Sequence, residues 1–215
     1  MRQAQRFYTV QEIQQLYEQG DAAHDFDHVL RVTRLADLLA HAEGADRQVV
    51  EAAALLHDIP TPDRARQAHH LAAAEFAQAF LTARGMPEKQ VANVVHCIQA
   101  HRYRDPSIQP SSLEAKCLYD ADKLDAMGAM GIGRAFAYAG ARGHRLWTQP
   151  VHKVPDDAEQ PDGAEYTPVH EFVYKLARLA ETLHTETARA IGRERHDFME
   201  QFFHQLDMEM LWVAE

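Results

Sequence analysis

Apolar positions recur at three- and four-residue steps along nearly the whole chain, and no alternating run is long enough to predict a strand, so the sequence predicts an all-α fold. A first helix opens at Thr9, with Glu12 three residues on in capping-box spacing, and stops at Gly20. A second carries Val29, Val32, Ala36 and Leu39 on one stripe and ends by Gly44. The third begins near Asp46, presents Val49, Val50, Ala53, Ala54 and Leu56, and runs into His57 and Asp58, after which Pro60 and Pro62 oppose continuation. A fourth, over 67–84, is expected to turn Leu71, Phe76 and Phe80 inward, and a fifth starts at Pro87 and shows Val91, Val94, Val95 and Ile98. Two more cover 113–121 and 128–141, the latter rich in Gly and Ala and so suited to close packing.

Between 149 and 168 the pattern lapses. Four of the nine prolines (Pro150, Pro155, Pro161 and Pro168) and the acidic cluster Asp156, Asp157 and Glu159 predict a long flexible loop, either a frayed excursion or a lid over a site. Two long amphipathic helices follow within 169–212, one with Phe172, Leu176, Leu179 and Leu183 inward, the other with Phe198, Phe202 and Leu206. No internal repeat or low-complexity tract interrupts the chain, so 1–215 is expected to form a single-domain helical bundle.

Charge narrows the range of partners. With 32 acidic against 22 basic side chains, the net charge is −10, which argues against nonspecific nucleic-acid binding, a mode that draws its affinity from many Lys and Arg contacts to phosphates. No stretch approaches the roughly 18 consecutive apolar residues of a membrane helix, and the first ten residues lack the pattern of a signal peptide, so no membrane partner and a cytoplasmic location are expected. Cys97 and Cys117 have no paired spacing and are expected to be reduced, buried thiols. The 14 histidines stand out, because histidine is both the commonest metal ligand and a proton shuttle near neutral pH.

Three stretches concentrate chemistry. His57 and Asp58 close an apolar helix, where an imidazole and a carboxylate on adjacent residues can bend toward one point, a geometry that suits a divalent cation. Alone, such a doublet equally fits a capping or surface pair. Upstream lies His24-Asp25-Phe26-Asp27-His28, and downstream Tyr119-Asp120-Ala121-Asp122-Lys123-Leu124-Asp125 sets three acids and a lysine in apolar surroundings. Buried carboxylates are costly unless paired or metal-bound, although Asp122 would also serve as a helix cap or as a partner for Lys123.

In the order His28, His57-Asp58, Asp122 the chain resembles the HD-domain superfamily of metal-dependent phosphohydrolases, an all-helical fold, and within it the small bacterial HD hydrolases of the YedJ and YpgQ type. The similar stretches are HDFDHVLRV (24–32), ALLHDI (54–59), DADKLDAMGAMGIGRAFAYAG (120–140), HEFVYKLARL (170–179) and TARAIGRERHDFMEQF (187–202). The resemblance implies a metal-site core at 20–145 in which His28, His57, Asp58 and Asp122 ligate one divalent cation, with Mn favoured and Mg, Co, Ni, Fe or Zn as alternatives. Such an ion would keep positions open for water and a phosphate oxygen, acidify the water and polarise the phosphoryl group. His70, His96 and His101 are conceivable ligands to a second ion, but His69 and His70 fall where the subgroup does not require histidine, so one ion is expected.

Asp58 is thus expected to act in catalysis as well as in ligation. Further catalytic candidates are His101, on the inward stripe of the fifth helix, His24 and Asp25 beside His28, and Asp63, which suits either a water-positioning acid or a solvated turn. An anionic substrate in an acidic chain needs local cations, and Lys123, Arg134, His170, Lys175, Arg64 and Arg66 are the candidates, each of which also suits an ordinary surface or structural role. The expected activity is hydrolysis of a phosphoester or phosphoanhydride in a small nucleotide, by nucleoside triphosphate pyrophosphohydrolysis or nucleotide phosphatase action. An HD-type iron oxygenase and a noncatalytic nucleotide or metal binder are the alternatives.

Overall fold

A computed structural model describes residues 7–17, 26–60, 69–102, 107–155 and 160–212. All regular structure among the described residues is helical, in the order α1 (Val10–Tyr17), α2 (Phe26–Glu43), α3 (Arg47–Leu56), α4 (His69–Ala83), α5 (Glu88–Ala100), α6 (Leu113–Asp125), α7 (Gly128–Ala141), α8 (Pro168–Tyr174) and α9 (Glu186–Trp212), with short 3-10 turns at Val151–Lys153, Gly163–Glu165 and Leu176–Thr182. The chain divides into two compact units, Met1–Asp122 and Lys123–Glu215, and the boundary falls inside α6.

In the first unit α3 is the centre, packed against α1, α2, α4 and α5. Its composition dictates this: Val49, Val50 and every residue from Ala52 to Leu56 are buried, and a helix with so wide an apolar face must be enclosed. Asp46 caps it, its carboxylate accepting the Gln48 N–H at 3.0 Å and the Val49 N–H at 3.4 Å. The α1 capping box forms as expected, Glu12 accepting the Thr9 N–H at 2.8 Å and Thr9 Oγ1 accepting the Glu12 N–H at 3.1 Å. From α1, Tyr17 donates its hydroxyl to the Leu55 carbonyl at 2.9 Å, bracing the last turn of α3. Glu114 at the start of α6 accepts from the Asp46 N–H and from Asn93 Nδ2, both at 2.9 Å.

The expected inward face of α4 is corrected. Leu71, Phe76 and Phe80 are only half-buried, and Ala73, Ala74, Ala77 and Leu81 form the enclosed face. Small residues let α4 approach α5 closely, while the larger rings stack on each other at its margin, Phe76 against Phe80 with centroids 5.6 Å apart. Val95 of α5 is likewise half-buried.

In the second unit α7 and α8 pack on each other, and α7 also packs on α9. Gly131 is required where α7 turns back from the end of α6: a Cβ there would stand 2.2 Å from the Ala126 carbonyl oxygen. The first of the two expected C-terminal helices is broken at Lys175, with α8 before it and 3-10 geometry after it, yet Phe172, Leu176, Leu179 and Leu183 are all buried as expected. The stripe expected on α9 is shifted by one position. Met199 and Phe203 are buried while Phe198 is 47% exposed, because Phe203 stacks on Phe172 with centroids 4.4 Å apart and so sets the rotation of the helix.

The segment expected as a flexible loop at 149–168 carries two of the 3-10 turns and is tied to α9. Asp207 accepts the Trp147 Nε1–H and the Val151 N–H, each at 2.8 Å. The acidic cluster Asp156, Asp157 and Glu159 lies outside the described residues. No described helix is long and apolar enough to cross a membrane.

Candidate metal centre

Five elements of the first unit deliver polar side chains to one region. His28 comes from the first turn of α2, His57 is the C-cap of α3 with Asp58 next to it, His69 opens α4, His101 is the C-cap of α5, and Asp122 lies in the last turn of α6. Two triads of potential ligand atoms result, His28–His57–Asp58 and Asp58–His69–His101, with the carboxylate of Asp58 common to both. His28 Nε2 stands 3.9 Å and His57 Nε2 3.7 Å from Asp58 Oδ2, and Asp122 Oδ1 is 3.5 Å from His28 Nε2.

The helix ends explain the orientation of two rings. The last carbonyls of a helix lack intrahelical partners, and a histidine at the C-cap can supply one. His57 Nδ1 is 2.8 Å from the Ala54 carbonyl oxygen and His101 Nδ1 is 2.6 Å from that of Ile98. A carbonyl only accepts, so Nδ1 carries the proton in both rings and Nε2 of each faces Asp58. For His57 this has an energetic consequence. Its ring is fully buried, and Nε2 has no hydrogen-bond partner among the described residues. A buried polar atom left so costs roughly 1 to 3 kcal/mol, a cost that coordination to a cation removes. Neutral imidazole nitrogens with carboxylates form a donor set suited to Mn, Fe, Co, Ni or Zn, so the residues present fit a divalent metal.

The structure therefore brings His28, His57, Asp58, Asp122 and His101 together. His69, which nothing along the chain singled out, joins them with Nε2 3.3 Å from Asp58 Oδ1. Tyr17 was also missed. Its hydroxyl is pushed well above its ordinary pKa, chiefly by burial and then by the negative charge of Asp58, so it remains a neutral donor to the Leu55 carbonyl close to the cluster. His96 has a structural role, its Nε2 accepting the Ser111 N–H at 3.0 Å.

The remaining candidates are placed as follows. His24, Asp25, Asp63, Arg64 and Arg66 lie outside the described residues. Lys123, Arg134, His170 and Lys175 belong to the second unit. Lys123 is buried, Arg134 pairs with Asp125 at 3.2 Å, and Lys175 pairs with Glu171 at 2.7 Å. His170 accepts the Thr167 N–H on Nδ1 at 3.2 Å and stacks near Tyr166 and Tyr174. Cys97 and Cys117 are free and buried, as expected. Burial pushes the Cys117 thiol up to about 12 and raises that of Cys97 as well, which leaves neither as a nucleophile near neutral pH.

The HD domain family matches residues 25–127. The uncharacterized protein YpgQ of Bacillus subtilis is 36% identical over 204 residues, covering 92% of this chain and 90% of YpgQ. The crystal structure of YpgQ in complex with ADP matches with a TM-score of 0.70 at 32% identity, over 93% of this chain and 94% of that one. An HD-superfamily hydrolase from Bacillus thuringiensis matches with a TM-score of 0.73 at 30% identity, over 96% and 95% of the two chains.

Proposed function

The chain belongs to the HD-domain family, and from that premise we propose that it is a metal-dependent phosphohydrolase acting on a small nucleotide, by nucleoside triphosphate pyrophosphohydrolysis or nucleotide phosphatase action. The observation that carries this reading is the buried His57 Nε2, held in its acceptor form and turned to the carboxylate of Asp58 with His28 and Asp122 beside it. Solved relatives described as HD-superfamily hydrolases support hydrolysis, and the ADP complex of YpgQ supports a nucleotide.

His28, His57, Asp58 and Asp122 would hold the ion, with manganese the first choice. A divalent cation supplies positive charge that polarises a phosphoryl oxygen and acidifies water. The protein's own contribution is to orient the donors. Ala54 fixes the His57 tautomer, Tyr17 steadies the last turn of α3, and Asp58 directs its carboxylate toward the histidines. His101 is a proton-relay candidate beside Asp58, and Lys123, next in sequence to Asp122, is assigned to the substrate phosphate.

Phosphate and pyrophosphate release measured over a panel of nucleotides with Mn, Mg, Co and Ni tests the reading. Metal-dependent release from at least one nucleotide is expected. Absence of turnover with every nucleotide and phosphomonoester would transfer priority to a noncatalytic binder, and oxygen consumption by an iron-loaded enzyme would favour the oxygenase alternative.

A further inference from the structure

One aromatic side chain joins the two helix ends that present His28, His57 and Asp58. Tyr17, the last residue of α1, is buried, and its hydroxyl donates at 2.9 Å to the carbonyl of Leu55, two residues before His57. Its ring meets that of Phe26, the first residue of α2 and two residues before His28, with centroids 5.3 Å apart at 50°. We propose that Tyr17 is a positioning residue that sets the spacing between His28 and the His57–Asp58 pair, and thereby the affinity of the site for its cation. The proposal rests on the reading that His28, His57, Asp58 and Asp122 hold a divalent metal.

Hydrogen bonding at the end of α3 shows what a side chain from another helix supplies there. The last carbonyls of a helix have no N–H partner within it. In α3 three of them accept from three different groups: Ala54 from the His57 ring at 2.8 Å, Leu55 from Tyr17, and Leu56 from the Ile59 N–H at 3.4 Å. The Asp58 N–H in turn hydrogen-bonds to the Tyr17 oxygen. The phenol thus donates to the chain before His57 and accepts from the chain after it, so one atom holds both sides of the turn that carries the doublet.

Neither burial nor helix packing accounts for that hydroxyl. A phenylalanine would fill the same space without the cost of enclosing a polar group, so what the tyrosine adds is the pair of bonds to the turn. Metal donors must be held to about 0.5 Å. Apolar packing of α2 on α3 brings the two ends together but is non-directional. The hydroxyl adds direction at the α3 end, and the contact of its ring with Phe26 carries that constraint to the first turn of α2, where His28 stands. All three elements belong to the first unit.

Metal affinity in the absence of nucleotide tests the proposal, because it reads the donors directly. Full-length protein stripped with chelator is titrated with Mn, the free ion being followed by electron paramagnetic resonance, and is loaded in parallel with cobalt, whose visible spectrum reports the geometry of its ligands. Tyr17→Phe keeps the ring on Phe26 and loses only the hydroxyl. It is expected to weaken Mn binding about tenfold, the lower end of the effect of groups that orient metal ligands, and to shift the cobalt bands. Phe26→Leu is expected to weaken Mn binding in the same direction. Asp46→Ala removes the cap at the opposite end of α3, costs helix stability without touching the donors, and is expected to bind Mn as wild type does. Wild-type affinity or an unshifted cobalt spectrum in Tyr17→Phe overturns the proposal, and so does an equal loss of affinity in Asp46→Ala, which would reduce Tyr17 to a helix-stabilising role. A wild type that binds no Mn overturns instead the reading on which the proposal rests.

Discussion

The polar side chains of the second unit and those gathered around Asp58 in the first are held in opposite ways. In the second unit they close on one another: Lys175 on Glu171 at 2.7 Å, Arg134 on Asp125 at 3.2 Å, and Trp147 and Val151 both on Asp207 at 2.8 Å. In the first unit four histidines stand around the single carboxylate of Asp58 at 3.3 to 3.9 Å, and the two at helix ends have already spent their Nδ1 protons on backbone carbonyls. Pairs at contact distance are complete by themselves and hold the fold. Nitrogen and oxygen donors that converge at longer range around an acid suit a third body that carries positive charge.

The hardest test of that contrast is Asp58→Ala. Removing the one group shared by both triads is expected to abolish turnover and strip the protein of metal, while far-UV circular dichroism stays unchanged because Asp58 lies beyond the end of α3 and the core of α3 is apolar. Near-full metal content and turnover in this variant would show that the cluster is an ordinary polar packing arrangement. His57→Ala should behave in the same direction.

Lys123 sharpens the comparison from the other side of the boundary. Lys123→Ala is expected to leave metal content intact and to lower kcat/KM by tens- to several hundred-fold, roughly 2 to 4 kcal/mol for one charge-assisted contact to a developing anion. Steady-state kinetics together with elemental analysis give the answer, and a thermal melt checks the loss of a buried side chain. Unchanged kcat/KM would place Lys123 among the structural residues of the second unit.

The smallest expected effect belongs to His170, whose pKa is lowered below its ordinary value of 6.5 chiefly by burial. Its Nδ1 accepts the Thr167 N–H, so protonation at that atom breaks the cap of α8. The folded state therefore binds fewer protons than the unfolded state, and stability is full above pH 6.5 and falls as pH drops from 6.5 through the lowered folded value. Urea midpoints of wild type and His170→Gln, compared at pH 7.5 and pH 5.5, should differ in this sense only, with wild type losing more on acidification. Equal losses would remove His170 from the pH response.

Much of the fold was legible because its signals are local. Thr9 with Glu12, Asp46 before Val49 and Gly44 after α2 act within one helical turn, and each marks an end where the structure has one. The HD doublet was legible for the same reason, since adjacent residues at a helix end need no distant information. His69 was not: it joins Asp58 only because α4 packs against both α3 and α5, and nothing in its neighbours along the chain signals that approach. Arg134 and Lys175 show the converse, for a basic residue in a matching motif gives no sign of the carboxylate that will occupy it.

By itself, then, the sequence determined the all-helical class, most helix limits and the family, and it singled out His28, His57, Asp58 and Asp122 as the candidate donors. The tertiary structure alone decided which of two neighbouring apolar stripes of α9 turns inward, that the helix after Pro168 breaks at Lys175, and that His69 and His101 meet Asp58. The reason is range. Periodicity and capping depend on residues a turn apart, whereas rotation of a helix and convergence of side chains from separate helices depend on packing partners remote in the chain, such as Phe172 against Phe203.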